Sequence, residues 1–151
     1  MSRAKAIERL LRIRELEEEQ QRLGLDAARA KLEALEKARS AAAEMARQGR
    51  VHLGASAISG EIADRQAALA EMEAARKRMR MLVPRIAASQ SELLECRQEF
   101  MKKRVERQQA ETLVEQGNIR EEAEFDRRSQ KGVDDWYGAR MHRQGVNDRE
   151  H

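Results

Sequence analysis

Aromatic residues make up only 3% of this 151-residue chain, and Pro84 and Cys96 are its only proline and its only cysteine. With so few large rings to fill space, a thick globular core is not expected. A single cysteine rules out a disulfide within the chain and fits a reducing compartment. With one proline, long helices can run almost without interruption. No stretch approaches eighteen uncharged apolar residues, so no membrane-spanning helix is expected. The start, Met1-Ser2-Arg3-Ala4-Lys5, has no apolar signal core, and a cytoplasmic location is expected. Charge of one sign is missing as well: 30 basic against 27 acidic residues leave a net +3, a weak basis for specific nucleic-acid binding. There is no phosphate-cradling glycine loop, no metal-ligand spacing and no pairing of nucleophile with base. His52, His142 and His151 have no ligand-like neighbours. The reading is therefore of a non-enzymatic chain without cofactor or metal.

What is abundant is charge, at 38%, interleaved with alanine and leucine. That composition is the mark of long helices. One column repeats every seven residues: Met72, Met79, Ile86, Leu93, Phe100, Arg107 and Val114. A second, offset by three or four, carries Ile62, Leu69 and Val83. Together they read as the seam of a coiled coil. Such a helix cannot bury its stripe alone, so a hairpin or an oligomer is required. Arg76, Gln90, Arg97 and Arg107 read as polar seam positions that set register. Cys96 is expected beside the seam, with methionines 72, 79, 81 and 101 mostly filling it.

The predicted fold is all-α: a long antiparallel two-helix coiled-coil hairpin whose second helix is the longer. Residues 1–141 form one hairpin, with helix 1 over about 3–48, a turn over about 49–60 and helix 2 over about 61–140. Gly49, Gly54 and Gly60 mark the turn, Gly49 serving as helix stop and Ser56 or Ser59 as cap of the next helix. In the first arm the seam wanders, with Leu16 and Leu23 in one column and Leu25 and Leu32 in another. Pro84 is expected to kink helix 2 rather than break it. Residues 142–151 are expected to be disordered. The arms would be about 68 Å and 120 Å long. With the turn near residue 54, residue i lies roughly opposite 109 − i, which places Ala4 near Val105. About 35 residues of helix 2 then overhang without a partner.

The overhang holds the aromatic cluster of the chain. On a helix, Phe125, Ser129, Val133, Trp136 and Tyr137 fall close to one face, and Trp and Tyr are favoured anchors at protein interfaces. The alternative is that this face folds onto the start of the first arm. Asp134 and Asp135 diverge around a helix and gain no histidine, so they do not read as a metal site. The basic runs Arg76-Lys77-Arg78-Met79-Arg80 and Lys102-Lys103-Arg104 read as solvated faces in preference to a nucleic-acid stripe.

The order of segments resembles the FliJ/YscO family of flagellar and type III secretion coiled-coil export proteins. The likeness starts in Ala6-Ile-Glu-Arg-Leu-Leu-Arg-Ile-Arg-Glu-Leu-Glu-Glu-Glu and continues through a small-residue turn into a longer second helix. It is most specific at Glu111-Thr-Leu-Val-Glu115, Arg127-Arg-Ser-Gln-Lys131 and Val133-Asp-Asp-Trp-Tyr-Gly-Ala-Arg140. There the family's Gln-Lys-x-Leu-Asp-Glu-x-x-x-x-Arg pattern appears with Val133 in place of leucine and Asp135 in place of glutamate. Gly132 and Gly138 depart from it, at a cost of about 1 kcal/mol each in a helix.

The resemblance implies a stalk like that of rotary ATPases. Its expected partners are the hexameric export ATPase, the export gate's cytoplasmic domain and export chaperones. It would be peripheral to the inner membrane through those partners only. Ile7, Leu11, Gln130, Val133, Asp134, Asp135, Trp136, Tyr137 and Arg140 are the implied partner-binding residues. A structural tether or homodimer is the alternative reading, and a nucleic-acid-binding hairpin the second alternative.

Overall fold

A computed structural model describes residues 2–149 of the chain. They form two helices, α1 (Arg3–Ser59) and α2 (Ile62–Arg149), joined by Gly60 and Glu61. The fold is an all-α helical hairpin with the longer helix second, as the heptad pattern predicts. It divides into two compact units, Leu16–Arg104 and the pair of segments Met1–Glu15 with Val105–His151.

The turn is shorter and later than the glycine spacing suggests. α1 continues past residue 48 through Gly49 and Gly54 to Ser59, so the expected turn over 49–60 contracts to two residues. The reason lies in the backbone. Gly60 alone among the described residues takes a positive φ, at 75°, the left-handed conformation that ends a helix without steric cost. Its N–H donates to the Ser56 carbonyl at 2.8 Å, which closes the last turn. The hydroxyls of Ser56 and Ser59 donate back to the carbonyls of Leu53 and Ser56. They therefore finish α1 and do not cap α2. Opening α2, the Glu61 carbonyl accepts from the Arg65 N–H, and Asp64 in the first turn complements the helix dipole.

Within the larger unit the helices run antiparallel. Lys31 reaches Glu92 at 3.1 Å, Lys103 reaches Glu17 at 3.6 Å, and His52 meets Glu71 at 3.2 Å. These contacts put residue i roughly opposite 121 − i, a shift of about twelve residues from the expected register. A turn at residue 60 in place of 54 produces that shift.

The buried seam is made largely of small residues. The expected column is present, with Met72 and Ile86 buried and Met79, Leu93 and Phe100 half-buried. Its partner column on α2 is Ala68, Ala75, Leu82, Ser89, Cys96 and Lys103, four of them buried and the last two half-buried. The column Ile62, Leu69 and Val83 lies outside the seam, 70%, 49% and 56% exposed. Arg76, Gln90 and Arg97 are exposed with it and are not seam polars, whereas Arg107 is half-buried. On α1, Leu25, Ala28, Ala42, Ala46, Gly49 and Ser56 are buried, while Leu16 and Leu23 face outward. The α1 seam does not wander; Ala28, Leu35, Ala42, Gly49 and Ser56 follow a strict seven-residue repeat.

Small residues let two helices approach at the short end of the usual 8–10 Å range. Gly49 shows how close: a Cβ there would stand 2.5 Å from Met72 Cγ and 3.4 Å from the Ala68 carbonyl. This glycine serves packing and does not stop the helix. Pro84 neither breaks α2 nor meets α1. It is exposed, as is Arg80, whose carbonyl loses its backbone donor to the proline. On that solvent side, water can take the place of the missing N–H.

The smaller unit pairs the start of α1 with Val105–Gly117. Arg14 donates to Glu106 at 3.1 Å, and Ala110 is buried. Ala4 and Ile7 share a groove with Leu113, Val114 and Gly117. Ala4 thus lies beside Gly117 and not beside Val105, so the pairing reaches about twelve residues further along α2 than expected. α2 continues to Arg149, so 142–149 is helical where disorder was expected. The last two residues of that segment lie outside the described residues.

A candidate protein-docking segment

From Asn118 to Arg149 every residue is exposed. This part of α2 keeps helical backbone bonding but packs on nothing within its unit. Most helical stability in proteins comes from tertiary packing of one face, which this stretch lacks. The segment therefore suits a partner.

Its aromatic cluster is locally ordered. Trp136 and Tyr137 sit edge to face, with ring centroids 5.1 Å apart and planes at 79°. The Arg140 guanidinium lies 5.3 Å from the Trp136 ring centroid, one helical turn on. At an exposed site that cation–π contact contributes about 0.5–1 kcal/mol. Gln130 donates to Asp134 at 3.1 Å, again one turn apart. Phe125, Trp136 and Tyr137 remain 69%, 56% and 57% exposed. Trp, Tyr and Arg are the residue types that most often carry binding energy at interfaces. Here they stand together, held by one another and open on their outer faces.

The nine residues singled out from sequence are not brought to one place. Gln130, Val133, Asp134, Asp135, Trp136, Tyr137 and Arg140 lie in the exposed segment. Ile7 and Leu11 are half-buried in the pairing of the smaller unit, and Ile7 shares its groove with Leu113 and Gly117. At 1.5 Å per residue, Gln130 is about 20 Å further along the helix than Gly117. Ile7 and Leu11 therefore support the segment's base instead of joining its aromatic surface. Asp134 accepts from Gln130, and among the described residues no group of three or more acidic, histidine or cysteine side chains converges as a cation site. Nor is any helix of the described residues long and apolar enough to cross a membrane.

Two features escape a reading based on large apolar residues. One is the small-residue seam column. The other is charge banding on α2. Residues 74–91 contain five basic residues and no acidic one, whereas 111–126 contain six acidic residues and a single arginine. Counting charge in windows along the chain reveals both bands. No protein-family model, curated protein or solved structure matches the chain.

Proposed function

We propose that this chain is a non-enzymatic accessory component of a type III protein export apparatus, a helical stalk that engages the hexameric export ATPase. The observation that carries the reading is the exposed end of α2, where Trp136, Tyr137 and Arg140 cluster beyond the last paired residues. It coincides with Gln130–Arg140, the stretch whose order of residues most resembles the FliJ/YscO pattern. The all-α hairpin is the form expected of that family, and it supplies a paired base for the docking helix. In this reading the export gate's cytoplasmic domain and the export chaperones are further partners, met along the paired helices. The protein acts in the cytoplasm, reaching the inner membrane through those partners.

Docking would order the segment and bury its rings, which explains why large aromatic groups stand exposed on an unpacked helix. The test is stimulation of the export ATPase by the full chain and by a chain lacking 126–151. The truncated chain is expected to keep the helicity of its paired segments and to lose stimulation. Replacing Trp136 and Tyr137 together with alanine is expected to weaken stimulation at least about tenfold, as for a pair of interface anchors. Stimulation that survives both changes rejects the assignment.

A further inference from the structure

Ion pairs join the two helices of the hairpin at several points. Arg14 with Glu106, Lys31 with Glu92 and Lys103 with Glu17 each join α1 to α2. Two bands of α2 take no part in this. In the larger unit, Arg76, Lys77, Arg78, Arg80 and Arg85 are all exposed, and none has an ion-pair partner among the described residues. The facing stretch of α1, about residues 30–47 by the same register, carries Glu33, Glu36 and Glu44. Glu33 pairs with Lys37 and Glu44 with Arg47 inside α1, and none of the three forms an ion pair with the band among the described residues. In the smaller unit, Glu115, Glu121, Glu122 and Asp126 are exposed and likewise without an ion-pair partner among the described residues. Neither band is ion-paired across the two helices among the described residues; in the acidic band Glu111 and Glu124 are paired, with Arg107 and Arg128 of α2 itself.

The two bands match in length and in apolar content and are opposite in sign. Each spans about four to five helical turns. Met81 and Val83 are exposed within the basic band, and Leu113, Ile119 and Phe125 within the acidic one. Exposed ion pairs taken singly contribute little, but an array aligned along two helices steers association and fixes register. Apolar groups between the charges add area that excludes water. The basic band has no aromatic residue on which a base could stack, and the single-stranded nucleic-acid sites that lack sequence preference depend on such stacking.

We propose that the acid-free band 74–91 is the docking site for the acidic band 111–126 of a second copy of this chain. The inference does not depend on the export reading: the basic band lies outside the docking segment, the acidic band shares only 118–126 with it, and the test needs no ATPase. Self-association of the full chain is expected at low salt in sedimentation velocity and to weaken as salt screens the bands. Arg76→Glu, Arg78→Glu and Arg80→Glu together place acid against acid. Glu121→Lys, Glu122→Lys and Asp126→Lys together place base against base. Each triple variant alone is expected to associate roughly tenfold more weakly or worse, with helicity unchanged by circular dichroism. Mixing the two variants matches every band again, and a mixed complex is expected where neither variant self-associates. A wild-type chain that stays monomeric at low salt overturns the proposal. So does a mixture that fails to associate. Low-salt binding of poly-uridine RNA by a monomeric chain, lost in the arginine variant, would replace the second copy with a polyanion.

Discussion

Residues 62–117 and residues 118–149 belong to one helix and draw on the same set of residues, yet they are held in different ways. The first stretch places a residue against α1 at every third or fourth position: Met72, Ala75, Met79, Leu82, Ile86, Ser89. The second has larger side chains, Phe125, Trp136, Tyr137 and Met141, and buries none of them. Close fit, more than residue size, distinguishes the supporting part from the part left open. Alanine contributes little area, but a column of small residues brings two helices close enough to exclude water along the seam. A large ring on a helix with nothing facing it adds no buried area to the hairpin.

The contrast is broken most directly by putting a carboxylate at Ile86. That site is buried, so Ile86→Asp is expected to cost on the order of 4 kcal/mol through lost apolar burial and an unpaired charge. Val133→Asp, in the open segment, is expected to cost no more than about 0.5 kcal/mol. Urea denaturation followed by circular dichroism reads both, and equal costs would erase the distinction.

Glycines sharpen it next. Gly49→Leu must displace Met72 and press on the Ala68 carbonyl, and is expected to destabilise by about 1–3 kcal/mol. At Gly138 nothing stands within 4 Å of a new Cβ, so Gly138→Ala is expected to raise helicity, stabilising by up to about 1 kcal/mol. The opposite signs are the test, read in the same denaturation and in helix content.

A smaller effect is expected at Ser89. Its buried hydroxyl has no hydrogen-bond partner, and Ser89→Ala removes an unpaired polar group from the seam. A stability gain of about 1 kcal/mol is expected, read as a higher urea midpoint. A loss would mean that the hydroxyl is satisfied in solution.

The smallest effect is expected from Glu44, on the solvent face of α1. Its hydrogen bonds from Arg47 hold its carboxyl below the ordinary glutamate range, with Arg47 raised in turn. A lowered pKa means that the pair stabilises the fold above that range and loses its effect as pH falls through the lowered value. Glu44→Gln is expected to lower the urea midpoint slightly at neutral pH and to match the parent in acid. A difference that persists in acid would assign the effect to something other than ionisation.

Much of this architecture is legible in the residues themselves. The column from Met72 to Phe100 identifies α2 and its buried face, and the aromatic group at 136–140 stands out by its isolation. Its partner column was not legible by the same rule, because Ala68, Ala75, Ser89 and Cys96 carry no strong apolar signal. Ile62, Leu69 and Val83 do carry that signal, yet they lie outside the seam. Apolar character alone could not assign the face, because a two-helix hairpin covers only one narrow stripe of each helix and leaves other apolar residues in water. Ile7 and Leu11 entered the partner-binding set through the family resemblance, and both are half-buried in the pairing of the smaller unit.

The amino-acid sequence on its own determined that the chain is helical, that its helices pair along a seven-residue repeat, and that charge covers the rest. Those properties follow from propensity and period, which are local. Tertiary structure decided where the chain turns and hence what faces what. Gly49, Gly54 and Gly60 look equivalent in the sequence. Gly49 is needed inside α1 because Met72 comes too close for a side chain, and Gly60 is free to take the positive φ that ends the helix. That choice depends on the partner helix, and from it follow the register, the length of the unpaired end and the surface it offers.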